Sequence, residues 1–310
     1  MIDYTIIIPV YCNEDSLDLL YEKINNDVID KNKNLKGQIC FCDDGSTDSS
    51  YKNLVSLNQK YSNVKVIKLS RNFGQAAGIY AGLSVMESKS YIIMSADLQD
   101  PVELINQFID VHFNSDYQII AGVRKSRKDS LLSIFLSKIS FWILKKLSFK
   151  NFPSNGFDFV LISKKVRDLM LKINPSDPFW PGDILWAGFK VKFIPYDRLE
   201  RFFGKSKYTL SKKITTFLDG IIGFSYFPIR FMSFIGFLVF LIGIVYASYI
   251  LLSKLYGLGN IEYGWAPIMI IILILGGLQM LFLGIMGEYI WRTLSQARNR
   301  PKYVIEDILD

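Results

Sequence analysis

Short apolar runs alternate with longer amphipathic stretches through the first 125 residues of the chain. The short runs have the length and β-branched content of buried strands, whereas the longer stretches have the three-to-four-residue apolar spacing of helices. Strands that alternate with helices form βαβ units, so we expect an α/β domain with a mostly parallel, Rossmann-like sheet. The strands are predicted at residues 4–10, 38–42, 64–69, 91–94 and 117–121, and the helices at 17–29, 49–61, 75–86 and 103–113.

The last third of the chain has a different pattern, because two long segments contain no charged residue. Residues 231–252 and 263–287 are each long enough for the roughly 20 residues that a bilayer-spanning helix needs. A pair of buried helices in a soluble protein is the alternative, but two such runs with a short connection favour a transmembrane hairpin. The predicted parts are an α/β domain at 1–208, an interfacial juxtamembrane helix at 209–228, two transmembrane helices at about 229–253 and 263–287 within 229–290, and a tail at 291–310.

Basic residues are distributed unevenly around these two apolar segments. The loop that connects the segments contains only Lys254 and Glu262 as charged residues. Because basic residues next to a membrane span stay on the cytoplasmic side, we expect the domain at 1–208 and both termini in the cytoplasm. The flanking basic residues are Lys212, Lys213 and Arg230 before the first segment and Arg292, Arg298, Arg300 and Lys302 after the second.

Composition narrows the range of chemistry. The net charge of +7 suits an anionic lipid or a phosphorylated substrate, and we expect no nucleic-acid partner. The chain has one histidine, which disfavours catalysis by a histidine base. Cys12, Cys40 and Cys42 lie in or beside predicted buried strands, so we expect reduced thiols. No G-x-G-x-x-G follows the first strand and no P-loop motif occurs, which disfavours both of those nucleotide folds.

Polar clusters follow each of the predicted strands. The carboxyl ends of parallel strands meet at one edge of the sheet, where α/β proteins bind their ligands. Carboxylate and amide oxygens suit Mg²⁺ or Mn²⁺ bound to phosphates, and arginine matches the geometry of a diphosphate. Asp97 as a simple helix cap is the alternative, but convergence of several clusters on one edge favours a site. The residues concerned are Ser95, Asp97, Gln99 and Asp100 after the fourth strand and Arg71, Arg124 and Arg127 after the third and fifth.

Several motifs occur in a fixed order along the chain. They are Ile-Pro-Val-Tyr-x-Asn-Glu at 8–14, Asp-Asp-Gly-Ser-Thr-Asp at 43–48, Ser-Arg-Asn-Phe-Gly at 70–74, Ala-Asp-Leu-Gln-Asp-Pro at 96–101, Arg-Phe-Phe-Gly-Lys-Ser-Lys-Tyr at 201–208, Gly-Glu-Tyr at 287–289 and Asn-Arg-Pro-Lys-Tyr at 299–303. Together they resemble the family 2 inverting glycosyltransferases, which have the GT-A fold. Within that family they are similar to the polyprenyl-phosphate glycosyltransferases, such as dolichyl-phosphate mannose synthase and bactoprenol glucosyltransferases, over essentially the whole chain.

The resemblance implies roles for the residues at matching positions. Asp44 would recognise the base by accepting a hydrogen bond from its ring N–H, and Asp97 with Gln99 would hold Mg²⁺ or Mn²⁺. The nucleotide-sugar pocket would contain Pro9, Tyr11, Glu14, Cys42, Asp44, Arg71, Ala96 and Asp97. The catalytic set would be Asp97, Asp158, Arg124, Arg201 and Lys207, and the acceptor phosphate would contact Arg124, Arg127, Ser137 and Lys207.

Two departures from the family pattern stand out. Ser95 occupies a position where the family usually has Asp, so one carboxylate of the expected metal site is missing. The first motif has one residue more than its shortest family version, so the placement of Glu14 in the nucleotide-sugar pocket is left open. A plain turn residue is the alternative interpretation of Asp158, equal in weight to a role in positioning the acceptor.

The resemblance implies transfer of a hexose, expected to be glucose from UDP-glucose, to a polyprenyl phosphate, expected to be undecaprenyl phosphate. Such an acceptor carries its own anionic nucleophile, which agrees with the scarcity of histidine. Two alternatives are a transferase that extends a polysaccharide, whose usual Gln-x-x-Arg-Trp motif is absent from the sequence, and a degenerate transferase-like membrane scaffold. The sequence leaves open the sugar, the base, the prenyl length and whether the chain forms a homo-oligomer.

Overall fold

The computed structural model of the chain forms two compact units, Met1–Gly223 with Arg300–Asp310 and Phe224–Asn299. The structure describes residues 2–125, 153, 156–173, 175, 178–199, 222–225, 227–256 and 265–310. The strands are β1 (Ile2–Val10), β2 (Gly37–Asp43), β3 (Val64–Leu69), β4 (Ser88–Ile93), β5 (Ile119–Arg124), β6 (Phe159–Ser163), β7 (Val191–Tyr196) and β8 (Ile305–Leu309). The helices are α1 (Leu17–Ile24), α2 (Ser50–Lys60), α3 (Gln75–Val85), α4 (Leu104–Phe113), α5 (Lys164–Ile173), α6 (Trp180–Trp186), α7 (Phe227–Tyr256) and α8 (Trp265–Arg298).

The first unit is built on an eight-stranded sheet in the order β7-β5-β6-β4-β1-β2-β3-β8. β1 pairs in parallel with β2 and β4, β2 with β3, and β5 with β7. β6 and β8 run antiparallel to their neighbours. The predicted α/β fold with a mostly parallel sheet is therefore confirmed, and the two antiparallel strands complete it. All five strands and four helices predicted in this part are present, with ends shifted by a few residues; a π-helical turn, Asn25–Ile29, extends α1.

Side chains of β1 alternate between two apolar layers, as the two-residue period of a strand requires. Ile6 and Ile8 belong to the core cluster that also contains apolar residues of α1, α2 and α4. Ile7 points to the opposite layer, where α3 packs directly on the sheet. A Cβ atom added at Gly82 would lie 2.7 Å from Cγ2 of Ile7 and 2.9 Å from Sγ of Cys42, so this glycine permits the close approach of α3.

A buried arginine joins α5 to the end of α3. The side chain of Arg167 is 6% exposed and donates hydrogen bonds to the carbonyl oxygens of Leu83 and Met86, at 2.7 and 2.8 Å. It also forms ion pairs with Glu87 and Asp168, each at 2.7 Å. The carbonyl oxygen of Met86 also accepts the hydroxyl of Tyr91 at 3.2 Å. Removal of the guanidinium therefore takes one hydrogen bond from each of two buried carbonyl groups and leaves Met86 with the longer one.

We expect Arg167→Met to lower the free energy of unfolding by about 2–4 kcal/mol, because the carbonyls of Leu83 and Met86 each lose a charge-assisted hydrogen bond. Thermal and urea unfolding of the detergent-solubilised chain would measure the loss. Lys164→Met is the matched control, since Lys164 pairs with the same Glu87 at 2.8 Å on the surface. A control variant that is as unstable as Arg167→Met would contradict this account.

The second unit contains α7 and α8, whose apolar side chains are largely exposed. The segments Phe227–Tyr246 and Ile274–Arg298 are long and apolar enough to cross a membrane, with mean hydropathy of 2.2 and 1.4. Exposed fractions of 61% at Phe240, 70% at Val245 and 74% at Met280 exceed what water-facing helices usually carry over such a length. The sequence therefore located both apolar helices, although each extends beyond the predicted span. The predicted interfacial helix at 209–228 lies mostly outside the described residues.

The chain returns to the first unit after α8. β8 pairs with β3, and the Tyr303 hydroxyl donates to Oγ of Ser84 at 2.9 Å. Nζ of Lys302 lies 3.8 Å from the ring centre of Tyr80, whose hydroxyl donates to Asp183 at 2.8 Å. Burial lowers the pKa of Lys302 to about 8 and raises the pKa of Asp183 to about 6. The segment predicted as a tail thus contributes strand β8 and the side chains of Lys302 and Tyr303 to the first unit.

Candidate active site

A tight turn directly after β4 presents the candidate metal-binding carboxylate. Leu98 in this turn is buried and has φ of 57°, a left-handed conformation that is uncommon for a residue with a branched side chain. The backbone N–H of Gln99 donates to Oδ1 of Asp97 at 3.3 Å. The side chain of Asp97 is 15% exposed. Strain at such a turn is a common property of functional sites, where it fixes the direction of a side chain.

Asp100 lies beneath this turn and is fully buried. Its carboxylate accepts hydrogen bonds from Oγ of Ser95 at 3.0 Å and from the hydroxyl of Tyr196 at 2.6 Å. The guanidinium of Arg198 is nearby, with Nε 3.9 Å from Oδ1 of Asp100 and Nη2 3.7 Å from Oδ2 of Asp97. Burial, with the nearby charge of Asp158, raises the pKa of Asp100 to about 6.

Arg124, at the carboxyl end of β5, forms an ion pair with Asp158 immediately before β6. Its Nε also lies 3.5 Å from the hydroxyl of Tyr196, which links this ion pair to Asp100. The side chain of Arg124 is 14% exposed and that of Asp158 is 36% exposed. Nearby carboxylates, Asp158 first among them, raise the pKa of Arg124 above its usual value despite its burial, so the guanidinium stays charged.

A second corner of the site lies at the carboxyl ends of β1 and β2. Asp44 is 2% exposed, and its two carboxylate oxygens accept the backbone N–H groups of Phe73 and Gly74 at 2.7 and 2.8 Å. Burial raises the pKa of Asp44, and these two hydrogen bonds oppose that rise. Asp44 therefore fixes the loop before α3, and each oxygen has a second lone pair left for another donor.

The loop after β1 is attached to the start of α2. The backbone N–H of Cys12, a residue with φ of 49°, donates to Oγ of Ser46 at 2.9 Å. Oε2 of Glu14 accepts the backbone N–H of Ser49 at 2.8 Å, so this carboxylate caps the beginning of α2. Tyr11 stays 36% exposed at the same strand end.

The residues after β4 and β5 and those after β1 and β2 lie at one edge of the sheet. Comparison with known proteins identifies the family to which this chain belongs. The profile of the family described as Glycosyl transferase family 2 matches residues 5–167, just over half of the chain. The chain belongs to this family. An uncharacterized glycosyltransferase of Synechocystis sp. is 33% identical over 308 residues, which is 99% of this chain and 96% of that protein. A prophage bactoprenol glucosyl transferase homolog of Escherichia coli is 29% identical over 305 residues, 98% of each chain.

The solved structure of a Pyrobaculum calidifontis mannosyltransferase in complex with GDP-Man and Mn²⁺ gives a TM-score of 0.48 at 14% identity, and covers 66% of this chain and 58% of that one. The family match, together with the mostly parallel sheet of the first unit, makes the fold of this glycosyltransferase GT-A-like, as the sequence motifs implied.

The structure brings the predicted site residues of this glycosyltransferase into two groups. Arg124 and Asp158 are connected to Asp100 through Tyr196, and Arg198 lies between Asp100 and Asp97. Tyr11, Glu14, Asp44 and Arg71 lie at the β1–β2–β3 corner, where the guanidinium of Arg71 stacks on Phe73 with 3.9 Å to the ring centre. Their roles in binding stay predictions.

Three predicted pocket residues have buried side chains, and their roles stay predictions. Cys42 is 0% exposed, with Sγ 3.7 Å from Sγ of Cys40, and Ala96 is 3% exposed. Pro9 is also buried, next to Gly78 of α3. Any contact of these residues with a nucleotide would therefore use their backbone atoms. The predicted residues Arg127, Ser137, Arg201 and Lys207 lie outside the described residues.

The expected Mg²⁺ or Mn²⁺ can be compared with the oxygen ligands available. Within the described ranges, no group of three or more His, Cys, Asp or Glu side chains could hold a metal ion. Asp97 and Gln99 would provide two oxygen ligands, whereas the carboxylate of Asp100 is buried and accepts hydrogen bonds from Ser95 and Tyr196. A divalent ion therefore fits this site only when further ligands come from the phosphates of a donor, as is common for Mg²⁺.

Proposed function

We propose that this glycosyltransferase transfers glucose from UDP-glucose to the phosphate of a polyprenyl phosphate, undecaprenyl phosphate in a bacterium. The observation that carries the proposal is similarity over almost the full length to proteins named bactoprenol glucosyl transferase, including 29% identity over 304 residues to that of Shigella phage SfV. This similarity covers 98% of both chains, so it includes the apolar helices as well as the catalytic unit. A lipid-linked acceptor explains why a sugar transferase would carry such helices.

The path of the chain supports a two-span membrane anchor. Residues Met1–Gly223 and Arg300–Asp310 fold into one unit, so the chain leaves that unit and returns to it around α7 and α8. A segment whose two ends are on the same side of a membrane crosses it an even number of times, and two spans meet this condition. The basic residues on both flanks would place the catalytic unit and both termini in the cytoplasm.

The acceptor phosphate is the nucleophile in the proposed reaction. It is largely dianionic near neutral pH, since its second pKa is about 6, and therefore needs no protein base. One of its oxygens bonds to the anomeric carbon while the bond from that carbon to the UDP oxygen breaks, so the configuration inverts and UDP leaves. The ion pair with Asp158 orients the guanidinium of Arg124 toward an anionic substrate. A divalent ion on Asp97 and Gln99 would neutralise charge on the diphosphate.

The test is an incubation of the purified full chain in detergent with undecaprenyl phosphate and, separately, UDP-glucose, UDP-galactose, UDP-N-acetylglucosamine and GDP-mannose. We expect a lipid product heavier by one hexose with UDP-glucose, observed by mass spectrometry. A water-soluble polymer would support polysaccharide extension instead. No lipid product with any donor would contradict the proposed acceptor.

The membrane orientation has an independent test. A reporter fused after Asp310 should be active in the cytoplasm, and a tag inserted at residue 259 should react with an impermeant reagent added outside the cell. If the reporter after Asp310 is exported, the proposed orientation of the catalytic unit is wrong.

A further inference from the structure

Arg198 lies at the point where the segment after β7 meets the Asp97 turn. The backbone N–H of Leu199 donates to the carbonyl oxygen of Gln99 at 2.9 Å, and Nε2 of Gln99 lies 3.4 Å from the carbonyl oxygen of Leu199. These two contacts hold the segment against the turn. They place the guanidinium of Arg198 between two carboxylates, 3.7 Å from Asp97 and 3.9 Å from Asp100.

Neither of these contacts is a hydrogen bond, because both exceed the usual donor–acceptor distance. Nε of Arg198 is buried and has no hydrogen-bond partner. The side chain is 27% exposed, so part of it remains accessible to a ligand. The guanidinium is thus held by charge alone, with donors left for a better-matched anion such as a phosphate.

A divalent ion on Asp97 would occupy much of the same space. Metal–oxygen distances are about 2.0–2.2 Å for Mg²⁺ and similar ions. An ion bound to Oδ2 of Asp97 would therefore lie within a few ångströms of the guanidinium, where two positive charges repel each other. Binding of the ion and contact of Arg198 with Asp97 oppose each other unless the guanidinium has another anion to pair with.

We propose that Arg198 is the resident countercation of Asp97 in the free protein, and that a nucleoside diphosphate draws it away so that the divalent ion and the diphosphate bind cooperatively. The diphosphate has two roles in this exchange. Its oxygens match the planar guanidinium, and they would add metal ligands to those from Asp97 and Gln99. The part that concerns the diphosphate rests on the proposed function, whereas the competition between Arg198 and the ion does not.

The test is a titration of the full chain in detergent with Mn²⁺, followed by electron paramagnetic resonance of the free ion, without and with UDP. We expect wild-type protein to bind Mn²⁺ at least about tenfold more tightly when UDP is present, a coupling typical of linked ligands. Arg198→Gln should bind Mn²⁺ about tenfold more tightly than wild type without UDP, because a positive charge has left the site. The gain from adding UDP should be smaller in this variant.

Lys125→Gln is the matched control. It removes one positive charge from the neighbouring surface pair with Asp197, at 3.1 Å, and leaves the Asp97 turn unchanged. Its affinity for Mn²⁺ should stay within about twofold of wild type, because exposed charges are screened. Equal effects in the two variants, or an unchanged Mn²⁺ affinity in Arg198→Gln, would overturn the competition.

Arg198→Lys provides a second variant in case Arg198→Gln does not fold. It keeps the charge but loses the planar fork, so Mn²⁺ binding without UDP should remain as weak as in wild type, and the effect of UDP should decrease. A UDP effect equal to that of wild type would overturn the exchange of Arg198 onto the diphosphate. These titrations need neither sugar nor lipid acceptor, so their outcome is separate from that of the transfer assay.

Discussion

Asp97→Asn is expected to reduce the rate of sugar transfer about a hundredfold or more. The substitution removes the anionic oxygen that would bind the metal, and with it the stabilisation of charge on the leaving diphosphate. The turn itself should persist, because an asparagine oxygen can still accept the N–H of Gln99. Initial rates with UDP-glucose and undecaprenyl phosphate, together with the Mn²⁺ dissociation constant, would measure both effects.

Asp116→Asn makes the same chemical change at an exposed position after α4 and should leave both quantities near their wild-type values. Far-ultraviolet circular dichroism of both variants would verify that they are folded. A rate for Asp97→Asn within about threefold of wild type would remove this residue from the catalytic site.

Gly45→Ala is expected to lower the free energy of unfolding by about 2–4 kcal/mol and to weaken binding of UDP. Gly45 has φ of 67°, and a Cβ atom there would lie 2.5 Å from the carbonyl carbon of Arg71 and 2.7 Å from the backbone nitrogen of Asn72. The two loops would have to separate, and Asp44 would lose its hydrogen bonds to Phe73 and Gly74. Thermal unfolding and calorimetric titration with UDP would measure the two losses.

Gly188→Ala separates the effect of backbone conformation from that of steric overlap. Gly188 has a similar φ of 72°, but a Cβ atom there would only be 4.0 Å from the carbonyl oxygen of Trp186. Its substitution should cost about 1 kcal/mol, the usual price of a left-handed conformation for alanine. If Gly45→Ala is no more destabilising than this control, the close approach of the two loops has little energetic weight.

Local patterns in the sequence were sufficient for the order of elements. The continuous apolar run of β1 and the three-to-four-residue apolar spacing of α4 are local patterns. Such patterns identify an element as a strand or a helix and give its approximate position. The exposed apolar helices α7 and α8 were equally evident, because a long segment without charge has few alternatives. The ends of β4 and β5 were displaced by up to three residues, since hydrogen bonding with neighbouring strands sets where a strand ends.

Ser95 shows what the sequence could not decide. Comparison with the family motif indicates that Ser95 replaces an Asp that would bind the metal. In the structure, the Ser95 hydroxyl donates a hydrogen bond to the buried carboxylate of Asp100. A carboxylate at position 95 would face Asp100 at a similar distance, about 3 Å, and the two charges would repel each other. This partnership had no signal in the sequence, because Asp100 was recognised as polar but not as buried.

The sequence by itself determined the βα order, the two apolar helices, the family and the edge of the sheet at which the polar clusters meet. The tertiary structure decided that Tyr196 and Arg198 meet the Asp97 turn, that Glu14 caps α2, and that β8 joins the sheet beside β3. The physical reason is separation along the chain. Tyr196 and Asp100 are 96 residues apart, and such a contact depends on the packing of whole strands rather than on any local period.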